Sequence, residues 1–295
     1  MNKNIFWISS YPKSGNTLVR AILTGLFFSN DGRVNFEDMR NIGLFETTRR
    51  LNFIKSINEN DFYNLGDLTT LSKYWQTIQT NQELKIEKGF GFLKTHSCLV
   101  SIKNNLFTSA DITKGYIYVV RDPRDLCISW AHHSNYSIDQ SIDFLCNPLS
   151  VLKWINKSKY SIIPKNIFPL QFISSWSEHV KSWTENDLGV PKLIIKYEDL
   201  IINKKIIIKK IIDFFDKDLG VKIKNSNTKL ENILKTTSFN YMKNMESKNG
   251  FDEAMPWSNF FRKGDRQQWK SILNKEQQSK IKDNFEKYMD MFDYF

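Results

Sequence analysis

Cysteine is scarce in this chain. Cys98, Cys127 and Cys146 are spread widely over 295 residues and form no C-x-x-C pair. That spacing excludes a disulfide framework and a redox dithiol, and it points to a reducing compartment. Only four histidines occur, His96, His132, His133 and His179, with no H-E-x-x-H or Cys/His ligand spacing. No metal site is expected. No apolar run approaches the roughly 18 residues of a transmembrane helix. No signal-type apolar region precedes the strand-like sequence at Ile5. The expected location is cytoplasmic. The G-x-x-x-x-G-K-[ST] loop is missing too, because no Gly-Lys pair precedes Ser14. Repeats, low-complexity linkers and composition breaks are absent, so residues 1–295 are expected to form one domain.

What is present suits an α/β enzyme. The chain is 41% hydrophobic and 14% aromatic, enough for a sizeable core, and its net charge is +10. A basic balance fits a polyanionic ligand, nucleic acid or an anionic membrane. It equally fits a chain rich in Lys, Asn and Ile throughout, so charge alone decides nothing.

Strand-like runs occur at residues 5–8, 90–96, 115–120 and 192–197. Helical spacing follows from Asn16 through Leu18, Ala21, Ile22, Gly25 and Leu26, and recurs at 126–133, 138–145, 170–186, 203–215 and 275–291. Residues 46–57 and 70–80 read as helical pieces, and 147–169 as an irregular flap. In the 203–215 segment, Lys204, Lys205, Lys209 and Lys210 oppose Ile206, Ile207, Ile211 and Phe214. That pattern fits a core helix with a solvated lysine face, or a membrane-surface helix. Strands alternating with helices imply a largely parallel sheet.

The most informative stretch is residues 5–28. An apolar strand leads into a turn-prone segment, Tyr11, Pro12, Lys13, Ser14 and Gly15, and then into a helix. A helix N-terminus presents unpaired N–H donors and the positive end of its dipole. Gly15 lets the backbone curl, Ser14, Asn16 and Thr17 add donors, and Lys13 adds charge. Such a loop suits a phosphate-like anion. Two further strand ends carry polar residues: Lys94, Thr95 and His96 after the second, and Arg121 after the third. In parallel sheets ligands sit at the carboxyl ends of strands. An imidazole there, with an ordinary pKa near 6.5, is a candidate general base.

Six segments together resemble the sulfotransferases that use 3′-phosphoadenosine 5′-phosphosulfate (PAPS). They are Y-P-K-S-G-N-T at 11–17, L-K-T-H at 93–96 and Y-V-V-R-D-P-R-D-L-C-I-S-W at 118–130. K-Y-E-D-L at 196–200, T-S-F-N-Y-M at 237–242 and R-K-G-D-R-Q-Q-W-K at 262–270 complete the series, in family order. The resemblance implies one sulfotransferase domain over 1–295. Its fold would be a three-layer α/β, P-loop-NTPase-like architecture with a mostly parallel central sheet flanked by helices.

It also implies roles. Lys13, Ser14, Gly15, Asn16 and Thr17 would hold the 5′-phosphosulfate end, and Leu18 would sit at the adenine. Arg121, Ser129, Arg262, Lys263 and Gly264 would cradle the 3′-phosphate. Tyr197, Thr237, Phe239 and Met242 would line the nucleotide site. His96 would take the acceptor's proton, while Lys13 and Lys94 would meet charge developing on the leaving group. PAPS is the implied donor, adenosine 3′,5′-bisphosphate (PAP) the product, and a hydroxyl compound the acceptor.

The chain departs from the family pattern at three places. Leu18 stands where many members have a tryptophan against the adenine. Gln267 and Gln268 replace the Gly-Asp of the C-terminal signature. The K-x-x-x-T-V-x-x-x-E dimer signature is not kept, which leaves the oligomeric state open. A phenol, a lipid alcohol and a sugar all remain possible acceptors. The pocket is expected from residues 38–81, 135–169 and 248–261, whose aromatics include Phe53, Trp154, Tyr160, Phe168, Phe251 and Trp257. Competing readings are a P-loop kinase or nucleotide hydrolase, which lacks its loop here, and a basic nucleic-acid-binding protein. The lysines are too dispersed for a single nucleic-acid face, so no nucleic-acid partner is expected.

Overall fold

The computed structural model describes residues 4–51, 54, 56–80, 89–153 and 169–295. Phe53, Trp154, Tyr160 and Phe168, and most of the expected flap, lie outside the described residues.

Nine strands are described: β1 (Ile5–Ser10), β2 (Gly43–Leu44), β3 (Gly91–Thr95), β4 (Ser101–Ile102), β5 (Asn105–Leu106), β6 (Thr113–Val120), β7 (Val151–Lys153), β8 (Leu170–Phe172) and β9 (Lys192–Lys196). Five form the central sheet in the order β2-β3-β1-β6-β9. Every pairing in it is parallel. The pairs β4-β5 and β7-β8 are small antiparallel ladders.

Side-chain alternation along the strands splits the core in two. Trp7, Leu93, Tyr116, Tyr118 and Val120 face one layer, with Trp176, Val180 and Trp183 of the helix Trp176–Thr184 and Ile281 and Phe285 of the helix Lys275–Met291. Phe6, Ile8, Phe92, Ile117 and Val119 face the other. There they meet Ile22 of the helix Asn16–Phe27, Ile208 and Phe215 of Lys204–Lys217, and Ile233 of Ser226–Thr236. The result is the expected three-layer α/β arrangement. In the register Ser9 lies beside Thr95 and Ser10 beside Val119. The carboxyl ends of β1, β3 and β6 therefore share one edge of the sheet.

Some sequence-based boundaries shift. Residues 170–186 are not one helix. Leu170–Phe172 is a strand, Ser174 turns the chain at φ 60°, and the Ser175 side chain caps the helix that starts at Trp176. Residues 70–80 divide into the helices Leu68–Ser72 and Trp75–Thr80. In 46–57 the described helix is only Thr48–Leu51. The strand at 192–197 stops one residue earlier, where Tyr197 opens the helix Tyr197–Ile202. The lysine-rich helix packs Ile207, Ile208, Ile211, Phe214 and Phe215 into the core but leaves Ile206 exposed, on the solvent side rather than the apolar face. No described helix is long and apolar enough to cross a membrane.

Candidate active site

The loop after β1 carries two left-handed residues in succession of three: Lys13 at φ 68° and Gly15 at φ 103°. This coils the chain into the helix Asn16–Phe27, and a helix start of this kind carries N–H donors suited to an anion. Gly15 has a steric reason as well. A Cβ there would lie 2.6 Å from the Tyr197 ring. Asn16 Nδ2 donates to the Ile8 carbonyl at 3.1 Å and so ties the helix start to β1. Leu18 is half-buried against the core on the helix side of the sheet. Among the described residues, Ser14 Oγ and Arg121 Nε are buried without a hydrogen-bond partner. A buried donor left unpaired costs free energy, so both are suited to an anionic ligand.

Arg121 leaves the end of β6 and reaches back to this loop. Its Nη1 donates to the Lys13 carbonyl at 3.0 Å, and its guanidinium lies 4.3 Å from the Tyr197 ring centroid. Both carboxylates that follow it in the chain hold other partners. Asp122 is paired with Arg124 at 2.8 Å, and Asp125 accepts the backbone N–H groups of Gln267 and Trp269. Those two bonds dock residues 262–270 onto the helix Pro123–Ser134, which carries the half-buried Ser129. Arg262 thereby comes close enough to Arg121 for their charges to oppose each other, and burial with that repulsion lowers the Arg262 pKa. Gly264 adopts φ 70°, and a Cβ on it would lie 2.4 Å from the Phe239 ring. Lys263 is exposed.

Two expected nucleotide contacts sit deeper. Met242 is 1% exposed and packs with Ala21, Val34 and Met39. The Thr237 hydroxyl donates to the Ile233 carbonyl at 2.7 Å. Thr237 thus ends the helix Ser226–Thr236, and Met242 anchors the following helix Phe239–Asn249 to the core. The substitution at Gln268 has a local explanation: its Oε1 accepts from Arg262 Nη2 at 2.9 Å. Gln267, where the family signature has glycine, keeps a glycine-like φ of 59°.

His96 follows β3 and is 8% exposed. Its Nδ1–H donates to the Ser10 carbonyl at 2.7 Å, which leaves Nε2 unprotonated. Burial and the nearby Lys94 charge lower its pKa to about 3, so the imidazole is neutral at pH 7. His179 supports it from behind. Its Nε2–H donates to the His96 carbonyl at 3.0 Å, and its Nδ1 accepts from the Tyr118 hydroxyl at 3.0 Å.

Lys13 Nζ lies 3.7 Å from the Phe260 ring centroid, and burial lowers its pKa to about 7. Lys94, lowered to about 8 by burial, pairs with Glu253 at 2.8 Å. Glu253 also pairs with Arg20, and Thr17 Oγ1 donates to it at 3.4 Å. Burial alone would raise the Glu253 pKa. The two cations outweigh it and hold the carboxyl well below the usual range. Glu253 and Arg20 also line a cavity of about 460 Å³ with Phe36, Phe251, Glu37 and Arg40.

Glu253, Arg20 and His133 were not foreseen from the sequence. His133 and Lys13 flank the same Phe260 ring, at 6.5 Å between ring centroids and 3.7 Å from Nζ, and burial and the Lys13 charge lower the His133 pKa to about 4. None of the three belongs to a periodic or spaced pattern, and Glu253 lies 159 positions from Lys94 by the numbering (253 − 94).

The sulfotransferase domain family matches residues 3–293. Luciferin sulfotransferase from Photinus pyralis is 27% identical over 280 residues, 91% of this chain and 67% of that protein. The rat protein sulfotransferase 1 family member D1 is 24% identical, over 96% of this chain and 82% of its own length. The fold is similar to that of a mouse sulfotransferase complexed with PAP, with TM-score 0.56, 17% identity and coverage of 98% and 84%. A retinol dehydratase in complex with androsterone and PAP gives TM-score 0.55, 18% identity and coverage of 98% and 81%.

Proposed function

The chain belongs to the family of PAPS-dependent sulfotransferases, and on that premise we propose how its residues divide the work of sulfuryl transfer to a polar hydroxyl acceptor. PAPS brings the sulfuryl group on a phosphosulfate anhydride. In this reading the N–H groups of the loop around Ser14 to Thr17 hold the 5′-phosphate, and Lys13 meets charge growing on the leaving oxygen. Arg121, Arg262 and the Gly264 segment hold the 3′-phosphate, with Ser129 and Lys263 at its margin and Tyr197 and Phe239 against the nucleoside. His96 Nε2 removes the acceptor's proton. Lys94 adds a second positive charge from the end of β3, toward the same leaving group. Residues 1–295 act as one domain, and three free cysteines suit a reducing, cytoplasmic setting.

The observation that carries this assignment is the shared sheet edge. It carries the loop with its unpaired Ser14 hydroxyl, Arg121 and an Nε2-unprotonated histidine, and the 262–270 segment adds Arg262 beside Arg121. For the acceptor, the cavity beside Glu253 combines two phenylalanines with Asn35, Glu37, Arg40 and Asp252. Charged groups around an aromatic wall favour a polyhydroxyl or otherwise polar compound over a lipid alcohol. Transfer of radiolabelled sulfate from PAPS to panels of sugars and polyols, simple phenols and long-chain alcohols tests the reading. The polar panel should be labelled best. Preference for long-chain alcohols would overturn the acceptor assignment, and no labelling of any hydroxyl would overturn the assigned roles.

A further inference from the structure

We propose that Glu46 is a positioning residue for His96, fixing the catalytic segment from the side opposite the reaction. This rests on the reading of His96 as the base.

The argument starts from strand geometry. Successive side chains point to opposite sides, so Thr95 and Ser97 share one side while Lys94 and His96 share the other. Lys94 and His96 make their contacts with Glu253 and Ser10. Thr95 and Ser97 converge on one carboxylate oxygen. Thr95 Oγ1 donates to Glu46 Oε1 at 2.5 Å, and Ser97 Oγ donates to the same atom at 2.6 Å. Gln171 Nε2 of β8 donates to Glu46 Oε2 at 2.8 Å. The Ser97 N–H closes the set by donating to Thr95 Oγ1 at 2.9 Å. The residue between them is the base.

Glu46 is itself held where it is needed. It follows β2, and the N–H of the preceding Phe45 donates to the Lys94 carbonyl at 2.9 Å, continuing the ladder past its last strand residue. It is only 4% exposed. A carboxylate buried to that degree is costly unless its oxygens are hydrogen-bonded. An apolar side chain would fill the same volume at less cost. What a carboxylate adds is charge-assisted bonds that fix two flanking hydroxyls at once. Bonds of this kind restrict the rotation of residues 95–97, and a misplacement near 1 Å at a reacting group costs about 10²-fold in rate.

The test combines Glu46→Ala with His96→Ala. Transfer of radiolabelled sulfate from PAPS is measured with glycerol as a neutral hydroxyl acceptor, PAP binding by calorimetry, and the His96 ring by nitrogen NMR. Glu46→Ala should lower turnover about 10- to 100-fold and leave PAP affinity within about twofold. The His96 spectrum should change from one Nδ1–H tautomer to a mixture. Glu46→Gln, whose amide can still engage both hydroxyls, should recover most of the rate. In the His96→Ala background Glu46→Ala should lower the residual rate no further. Equal losses in both backgrounds, or lost PAP affinity with unchanged turnover, would assign Glu46 a purely structural role and overturn the proposal. Should Glu46→Ala fail to fold, Ser97→Ala gives the same readouts with a smaller expected loss. If His96→Ala alone keeps wild-type turnover, the base assignment fails first. If His96→Ala is inactive and Glu46→Ala fully active, only the positioning role fails.

Discussion

His96 Nδ1–H donates to the carbonyl oxygen of Ser10 at 2.7 Å. A carbonyl only accepts, so this bond sets the tautomer and leaves Nε2 as the basic nitrogen. The bond crosses from the end of β3 to the end of β1, so the base is oriented by the strand that leads into the anion loop. His96→Ala should remove most transfer, by about 10²- to 10⁴-fold, and leave PAP affinity nearly unchanged. Steady-state rates with PAP calorimetry check both halves. Unchanged turnover would remove His96 from the mechanism.

Lys13 predicts a proton-linked binding step. Burial lowers its pKa to about 7, because the buried ammonium is the penalised form. At pH 8 the ligand-free lysine is therefore mostly neutral. A bound anion favours the charged form and raises the pKa, so binding at pH 8 should take up a proton. At pH 6 Lys13 is already charged and should contribute no uptake. Calorimetry of PAP binding in two buffers of different ionisation enthalpy reads this directly. Uptake near one proton at pH 8 is expected, and buffer-independent heats at pH 8 would contradict it.

Two left-handed positions in the C-terminal segment carry opposite predictions. Gly264→Ala places a Cβ against the Phe239 ring at φ 70° and should weaken PAP binding at least tenfold. Gln267 holds φ 59° with a side chain, at a cost of roughly 1 kcal/mol. Gln267→Gly should raise the melting temperature by a few degrees. Thermal denaturation of both variants checks the pair, and a lower melting temperature for Gln267→Gly would refute the strain argument.

The same segment shows what a sequence conveys and what it does not. The loop at 11–17, His96 and Arg121 could be proposed from local order, strand, turn and helix start, whereas Arg262 rested on the resemblance of residues 262–270 alone. The parallel sheet followed from strands alternating with helices. Glu253 was not legible, since its pairing with Lys94 and Arg20 is created only when residues 248–261 close over the sheet edge. Glu46 was hidden for a similar reason, because β2 has only two residues and shows no period. The break at Ser174 escaped because Phe172, Ile173 and Trp176 fit a helical period as well as a strand followed by a cap. Met242 matched a nucleotide-contacting segment but is spent on packing.

Glu253 sits where it lessens the positive charge available to a donor. Glu253→Gln should leave Arg20 and Lys94 without their counter-ion and destabilise the ligand-free protein. The expected loss is on the order of 2 kcal/mol, below the usual cost for a fully buried pair because a fifth of the Glu253 side chain stays exposed. PAPS affinity should rise at the same time, since a carboxylate no longer opposes the sulfonate. Denaturant titration and a donor-binding assay are the checks. Weaker donor binding with unchanged stability would contradict this account.

The central claim is a donor site with two separate phosphate holds, one at the loop around Lys13 and one at Arg121 and Arg262. The most direct test is a calorimetric comparison of PAP with ATP, the latter with and without magnesium. PAP should bind at least 100-fold more tightly than either form of ATP, which lacks the 3′-phosphate. ATP–magnesium binding as tightly as PAP would contradict the account.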